Sequence, residues 1–337
     1  MFNFNKILFL NSLIFGSIFS ISAISWMNMW IGLEINLMSF IPIMYQYKNI
    51  YSIESIMKYF ITQVLASMIL LFSIILSMSV NEFINPLMNS GINLLMNSSL
   101  LMKMGMAPFH FWFPEIMDGL NWNSCMLMLT WQKITPIVLI SYNIQSINFI
   151  SIIIIISAII GSVMSLNQLS MRKILTYSSI SHMSWMMSSI MMNKFIWMNY
   201  FIIYSFMIIN LISILKLFNI FYLNQLLNLS NLNIKFKILF MFNFFSLGGM
   251  PPFIGFFPKW MVINQLIFNK FYLMPFILII FSLITLYMYI RLTFNSLTLM
   301  YSTNLNFKMN KMNFISIIIN LNILISLIFF IYWFWMY

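Results

Sequence analysis

The chain has 337 residues, of which 62% are hydrophobic and 6% charged, with a mean hydropathy of +0.95. A soluble domain carries roughly 25% charged residues, so this is an integral membrane protein. Sixteen Lys and Arg against five Asp and Glu would indicate a nucleic-acid partner in a soluble chain; dispersed over many loops with no basic run, they read as topogenic charge, with no nucleic acid involved.

The apolar runs do not alternate, which excludes a β-barrel. At about 20 residues per span, the length predicts an all-α polytopic membrane protein of about 11 transmembrane helices. The one cysteine, Cys125, excludes an internal disulfide frame and a cysteine-built metal site. The N-terminus runs into an apolar helix with no cleavage site and no Arg-rich presequence, so no cleavable leader is expected. The 34 methionines and the weight of Ile, Asn and Phe fit an AT-rich organellar gene in which AUA is read as Met.

In chain order, helices are predicted at 6–25, at 27–45 with Glu34, and at 57–79. A broken helix follows, 91–104 and 109–119, with Lys103 before the break. Helices at 122–142 with Lys133, 148–166, 173–192 with His182, and 197–218 come next. Residues 219–234 place Asn224, Asn228 and Asn231 opposite leucines, the pattern of an amphipathic helix lying in the membrane interface. A second broken helix covers 236–248 and 253–268 with Lys259, and helices at 273–294 and 314–335 complete the chain. The organisation expected is one transmembrane domain: N-terminal helices over 1–80, a first-half repeat over 81–192, a second-half repeat over 193–294, and a C-terminal helix over 295–337. Lys6, Lys48, Lys58, Arg172, Lys173, Lys235, Lys237, Lys308 and Lys311 fall on one side of such a bundle, and Lys194 and Lys270 on the other. Positive-inside logic then puts the N-terminus in the matrix or cytoplasm and the C-terminus outside.

Four charges lie deep in predicted spans: Glu34, Lys103, Lys133 and Lys259. Each costs at least ~2.5–3.5 kcal/mol at a helix centre, and such groups face a bundle interior or a wet cavity. Lys58, Lys194, Lys216 and Lys270, near helix ends, read instead as snorkelling side chains, with Glu54 and Lys58 a surface ion pair at i, i+4. The breaks are written by Gly105 and Pro108 in the first broken helix and by Gly248, Gly249, Pro251 and Pro252 in the second. Proline removes an N–H donor and crowds the carbonyl four residues back. Broken backbone survives in lipid only inside protein or beside water. Two such helices of opposite parity suggest an inverted repeat with the ion site at the breaks.

A buried amine sheds its proton more readily, a neighbouring cation adds to that, and a carboxylate opposes it. A Glu–Lys pair beside a chain of lysines can then pass a proton by switching partners. His110, two residues past Pro108, reads equally as a proton relay or as packing. His182, among the hydroxyls of Thr176, Ser178, Ser179 and Ser181, reads as packing or as a relay, packing being slightly favoured. Moving a proton against the membrane potential costs about 2.3 kcal/mol per 100 mV. The chain has no nucleotide-binding glycine motif and no CxxC, so the energy is expected from partner subunits.

WIGLEIN around Glu34, LLMKMGMAPFHFWFPE around Lys103, LTWQKITP around Lys133, RKILTYSSISHMSW, and SLGGMPPFIGFFPKW around Lys259 together resemble the NADH dehydrogenase subunit 2 family. These are the mitochondrially encoded, antiporter-like membrane subunits of respiratory complex I, and the Met-rich composition resembles an arthropod version. The resemblance implies proton translocation coupled to NADH:ubiquinone oxidoreduction in the mitochondrial inner membrane. It implies that Glu34 is an entry-side group paired with Lys103, Lys133 the central relay lysine, and Lys259 the lysine leading toward the exit. It also implies no cofactor in this chain: NADH, FMN, iron–sulfur clusters and ubiquinone belong to partner subunits. The implied partners are other complex I membrane subunits, including neighbouring antiporter-like ones, and lipids such as cardiolipin. Two other readings share these residues: a subunit of a multisubunit cation/proton antiporter without redox chemistry, and a membrane scaffold whose charges are silent.

Overall fold

A computed structural model describes residues 4–46, 49–80, 86–227 and 234–298. It forms two compact units, Met1–Ser157 and Ala158–Tyr337. The fold is all-α, as predicted: among the described residues the only β feature is an isolated bridge between Ser170 and Tyr222.

In the first unit α1 (Phe4–Ser22) and α2 (Trp26–Met44) form a tight pair. The Ser25 hydroxyl caps α2 by accepting from the Asn28 N–H at 3.3 Å. Without a hydrophobic drive between helices in lipid, close backbone approach decides the pairing. A Cβ on Gly32 would lie 2.7 Å from Ser20 Cβ and 2.8 Å from its Cα. Gly32→Val is therefore expected to prise α1 from α2 and lower the yield of assembled subunit on a native gel; a normal yield would show that this contact is dispensable.

Helix α3 (Ile50–Val80) starts seven residues before the predicted start at 57, because the Asn49 side chain accepts from the Tyr51 N–H at 3.2 Å and caps it. Helix α4 (Pro86–Met104) also starts early, with proline at the first helical position, where its missing N–H costs nothing. Helix α5 is Trp112–Gly119. The predicted helix 122–142 is one apolar span but is interrupted into α6 (Trp122–Leu129) and α7 (Trp131–Tyr142). Thr130 makes the interruption: its hydroxyl donates to the Met126 carbonyl at 2.7 Å, and its own backbone turns to φ −114°, ψ −75°. Pro136 removes a further N–H donor inside α7. Helix α8 is Ile147–Ser165.

The second unit holds α9 (Met171–Met192), α10 (Lys194–Leu217), α11 (Leu223–Leu227), α12 (Ile234–Gly248), α13 (Phe256–Phe268) and α14 (Leu273–Thr298). The predicted interfacial helix over 219–234 is cut short. Asn219, at φ +51°, ends α10; the Phe221 and Tyr222 N–H groups donate to Gln225 Oε1, so helix resumes only over α11. Residues 228–233 and the predicted helix at 314–335 lie outside the described residues.

Among the described residues seven segments are long and apolar enough to cross a membrane. The elements that miss this mark include α4, α5, α12 and α13, the halves of the broken helices, and the serine-rich α9. Most of α9 is buried, 16 of its 22 residues. Its Thr176, Ser178, Ser179 and Ser184 hydroxyls donate to carbonyls three residues back in the same helix, which lets small polar residues pack where a free hydroxyl could not.

The two breaks are built alike. The first reads G-M-A-P-F from Gly105, the second G-M-P-P-F from Gly249. Gly105 takes φ +69° and Gly249 φ +76°, the left-handed conformation that closes a helix C-terminus. The Met106 N–H bonds Leu101 O at 3.2 Å and Gly105 N–H bonds Met102 O at 3.1 Å; at the second break Met250 N–H bonds Phe245 O at 3.2 Å and Gly249 N–H bonds Ser246 O at 3.1 Å. Both are the paired closure in which the two residues after the helix turn back onto its last carbonyls.

Candidate functional site

A helix end leaves carbonyls without intrahelical partners, and in lipid each must find one. At the end of α4, Trp112 Nε1 donates to Met102 O at 3.2 Å and Gln63 Nε2 donates to Lys103 O at 3.4 Å. Lys103, in the last turn of α4, sits where the helix dipole favours a cation. Its amine lies 3.5 Å from Glu34 Oε1, and the residue is 8% exposed. The structure therefore brings together two expected site residues that are far apart in the chain.

Beside this pair is a cavity of ≈ 20 Å³, enough for a water molecule. Its polar lining is Asn36, Tyr59, Gln63, Lys103, Gln132 and Thr135. Gln132 Nε2 donates to Asn36 Oδ1 at 3.0 Å, across 96 positions of sequence. Apart from Lys103, sequence reasoning did not single out these residues, although Asn36 and Gln132 flank Glu34 and Lys133 and an amide in an apolar span is itself a signal.

Lys133 is 2% exposed. It sits on α7 between the Thr130 interruption and Pro136, with its amine 5.1 Å above the centre of the Phe113 ring. His110 is buried in the turn between α4 and α5. Its Nδ1 lies 3.3 Å from the Pro108 carbonyl, its ring lies tilted at 31° against Phe111 with centroids 4.4 Å apart, and its carbonyl receives the Phe113 N–H; this geometry ties the turn together. The Ala107–Pro108 peptide is cis. At the surface Lys58 bridges Glu54 and Glu115, 2.9 Å from each; the predicted pair has a third member.

In the second unit Lys259, on the first turn of α13 and 7% exposed, reaches back across the break. Its amine donates to Gly248 O at 3.0 Å, a carbonyl at the C-terminal end of α12 where a cation is favoured. Pro251 and Pro252 occupy the turn between, and Gly249 packs directly under the amine. A cavity of ≈ 10 Å³ is lined by both Lys259 and His182, with Ser181, Ser184, Ser282 and Thr285 among its polar residues. His182 Nδ1 lies 2.9 Å from the Tyr200 hydroxyl. Among the described residues no cluster of His, Cys, Asp and Glu has the makings of a metal site.

Residues 23–285 match the family model described as NADH:quinone oxidoreductase/Mrp antiporter, transmembrane. The chain is 46% identical over 320 residues to "NADH-ubiquinone oxidoreductase chain 2" of Anopheles gambiae, covering 93% of each. Its fold is similar to a chain of respiratory complex I from Thermus thermophilus, with a TM-score of 0.81 at 20% identity over 87% of this chain and 71% of that one. It is also similar to a chain of the Mrp complex from Dietzia, with a TM-score of 0.72 at 15% identity over 85% of this chain and 59% of that one.

Proposed function

Since the chain belongs to the NADH:quinone oxidoreductase/Mrp antiporter family of transmembrane proteins, we propose that it is a core membrane subunit of respiratory complex I that carries protons across the mitochondrial inner membrane. Electron transfer in partner subunits drives it, and the nicotinamide, flavin, iron–sulfur and quinone chemistry resides there. Its partners are the other complex I membrane subunits, with cardiolipin-type lipids around them, the N-terminus facing the matrix. What separates this reading from a cation/proton antiporter is the 46% identity to a chain named for NADH–ubiquinone oxidoreduction, since the two solved folds resemble the chain comparably.

The observation that carries the mechanism is the Glu34–Lys103 ion pair, held at 3.5 Å at a helix break beside a cavity large enough for water. A carboxylate near Lys103 holds a proton on the amine; movement of that carboxylate away releases it. Lys133 on α7 is the next amine, and Lys259 with His182 forms the second unit's station. The two breaks close alike, as the halves of an internal repeat would. His110 serves the turn, and this scheme does not route a proton through it.

The test uses the whole complex in proteoliposomes. Removing Lys103 alone would strand a buried carboxylate, so Glu34→Gln with Lys103→Met is the informative pair. The double variant is expected to assemble and to lose NADH-driven proton movement through this subunit by ~100-fold or more, the scale of a lost acid–base group. Proton movement at the wild-type ratio to NADH consumed would refute the relay. Proton movement that persists when a quinone-site inhibitor stops NADH oxidation would favour the antiporter instead.

A further inference from the structure

Tyr200 lies on α10, 1% exposed. Among the described residues His182 Nδ1, at 2.9 Å, is its hydroxyl's one hydrogen-bond partner. The His182 ring is held between two tyrosines of the same helix: Tyr200 edge-on at 61°, centroids 6.1 Å apart, and Tyr204 tilted at 47°, centroids 5.1 Å apart. So the imidazole is fixed in position as well as bonded.

A neutral imidazole has one donor and one acceptor nitrogen, and the bond made by one nitrogen decides the role of the other. A buried phenol whose one partner is a ring nitrogen satisfies its O–H only by donating to it. We propose that Tyr200 is the positioning residue of His182: its hydroxyl donates to Nδ1 and holds the neutral ring as the Nε2–H tautomer, which offers an N–H donor to the cavity shared with Lys259. This rests on the reading of Lys259 as a relay lysine.

The consequence falls on Lys259. As an ammonium it donates to Gly248 O. Once it has given up its proton the amine carries a lone pair, and a lone pair in a cavity of ≈ 10 Å³ needs a donor, directly or through one water. The Nε2–H of His182 supplies it, so the neutral state of the amine is met by a fixed group instead of by a reorganising one. A phenylalanine at 200 keeps the ring packing and loses this control. No proton leaves Tyr200 or His182 in this scheme; they orient, and Lys259 exchanges.

The experiment is an infrared comparison on the intact complex with isotopically labelled histidine. Subtracting the His182→Gln spectrum from wild type isolates the His182 ring bands, whose C–N stretch differs between the two neutral tautomers. Wild type is expected to show the Nε2–H form; the Nδ1–H form there would overturn the proposal outright, whether or not any Tyr200 variant assembles. In Tyr200→Phe the Nε2–H band is expected to shift or split, and NADH-driven proton movement to fall at least twofold with unchanged assembly. An unshifted band in Tyr200→Phe also overturns it. Lys259→Ala separates the two readings. If that variant pumps normally, the relay role of Lys259 fails while the tautomer assignment is still read from the band. If it stops pumping and the Tyr200→Phe band is unmoved, Tyr200 alone is wrong.

Discussion

Lys133→Met is expected to stop proton movement through this subunit by ~100-fold or more, the loss that follows removal of an acid–base group, without weakening the fold. The two halves of that expectation have one cause. Lys133 is 2% exposed, with its amine over the Phe113 ring. A cation at such depth costs ~2.5–3.5 kcal/mol, and a cation–π contact returns about 0.5–2 kcal/mol of it. Methionine has nearly the same length and no charge, and it packs adaptably. The variant should therefore match or exceed wild type by up to about 3 kcal/mol in resistance to denaturant, by the difference of those two ranges. Lys133→Arg separates charge from proton exchange. It keeps the cation but cannot release a proton at any accessible pH, so it should also fail to pump. If Lys133→Arg pumps as well as wild type, a fixed positive charge suffices and the exchange mechanism is wrong. Proton uptake measured against NADH consumed, together with unfolding in detergent, reads both halves.

The breaks were legible because glycine and proline act locally. G-M-A-P-F and G-M-P-P-F carry the glycine and following proline common at a left-handed helix end, and the structure places both closures at the glycine. Burial of Lys103, Lys133 and Lys259 was legible too, since a charge inside an apolar run is visible on the page; Glu34 is half-buried. What stayed hidden lies between helices. The Asn36–Gln132 bond and the His182–Tyr200 bond join residues whose spacing carries no signal, because helix packing, not periodicity, sets them side by side. Thr130 was hidden differently. A hydroxyl that donates to its own helix is common and harmless in Ser178 or Ser184, and at Thr130 it coincides with a backbone turn three residues before a lysine. The segment 219–234 failed in the opposite direction. Its leucine and asparagine spacing fits a helix, but Asn219 at φ +51° and the Gln225 cap impose a turn that outweighs periodicity over the first four residues. The early start of α3 had a visible sign, Asn49 ahead of an apolar run, which periodicity alone passes over.

Two adjacent glycines should respond in opposite ways. Gly248 ends α12 in helical conformation, and a Cβ there would meet Leu286 and Tyr289 at 3.5 Å, ordinary contact. Gly248→Ala should thus be tolerated, with a gain of about 0.5–1 kcal/mol from the reduced freedom of the unfolded chain. Gly249 is at φ +76°, and its Cβ would stand 2.9 Å from Lys259 Nζ and 3.0 Å from Cδ. Gly249→Ala then meets two penalties: ~1–2 kcal/mol for a left-handed non-glycine residue, and displacement of the amine from Gly248 O, the bond that seats it. Proton movement should fall steeply in Gly249→Ala and stay near wild type in Gly248→Ala. Gly105→Ala shares the first penalty but disturbs the other break. It carries the same backbone strain at φ +69°, but its Cβ would press on Trp112 and Phe113 at 3.1 Å, not on a lysine. If Gly249→Ala assembles and moves protons at the wild-type ratio to NADH consumed, displacing the amine from Gly248 O costs nothing. The seating of Lys259 on the broken end of α12 would then have no separate role.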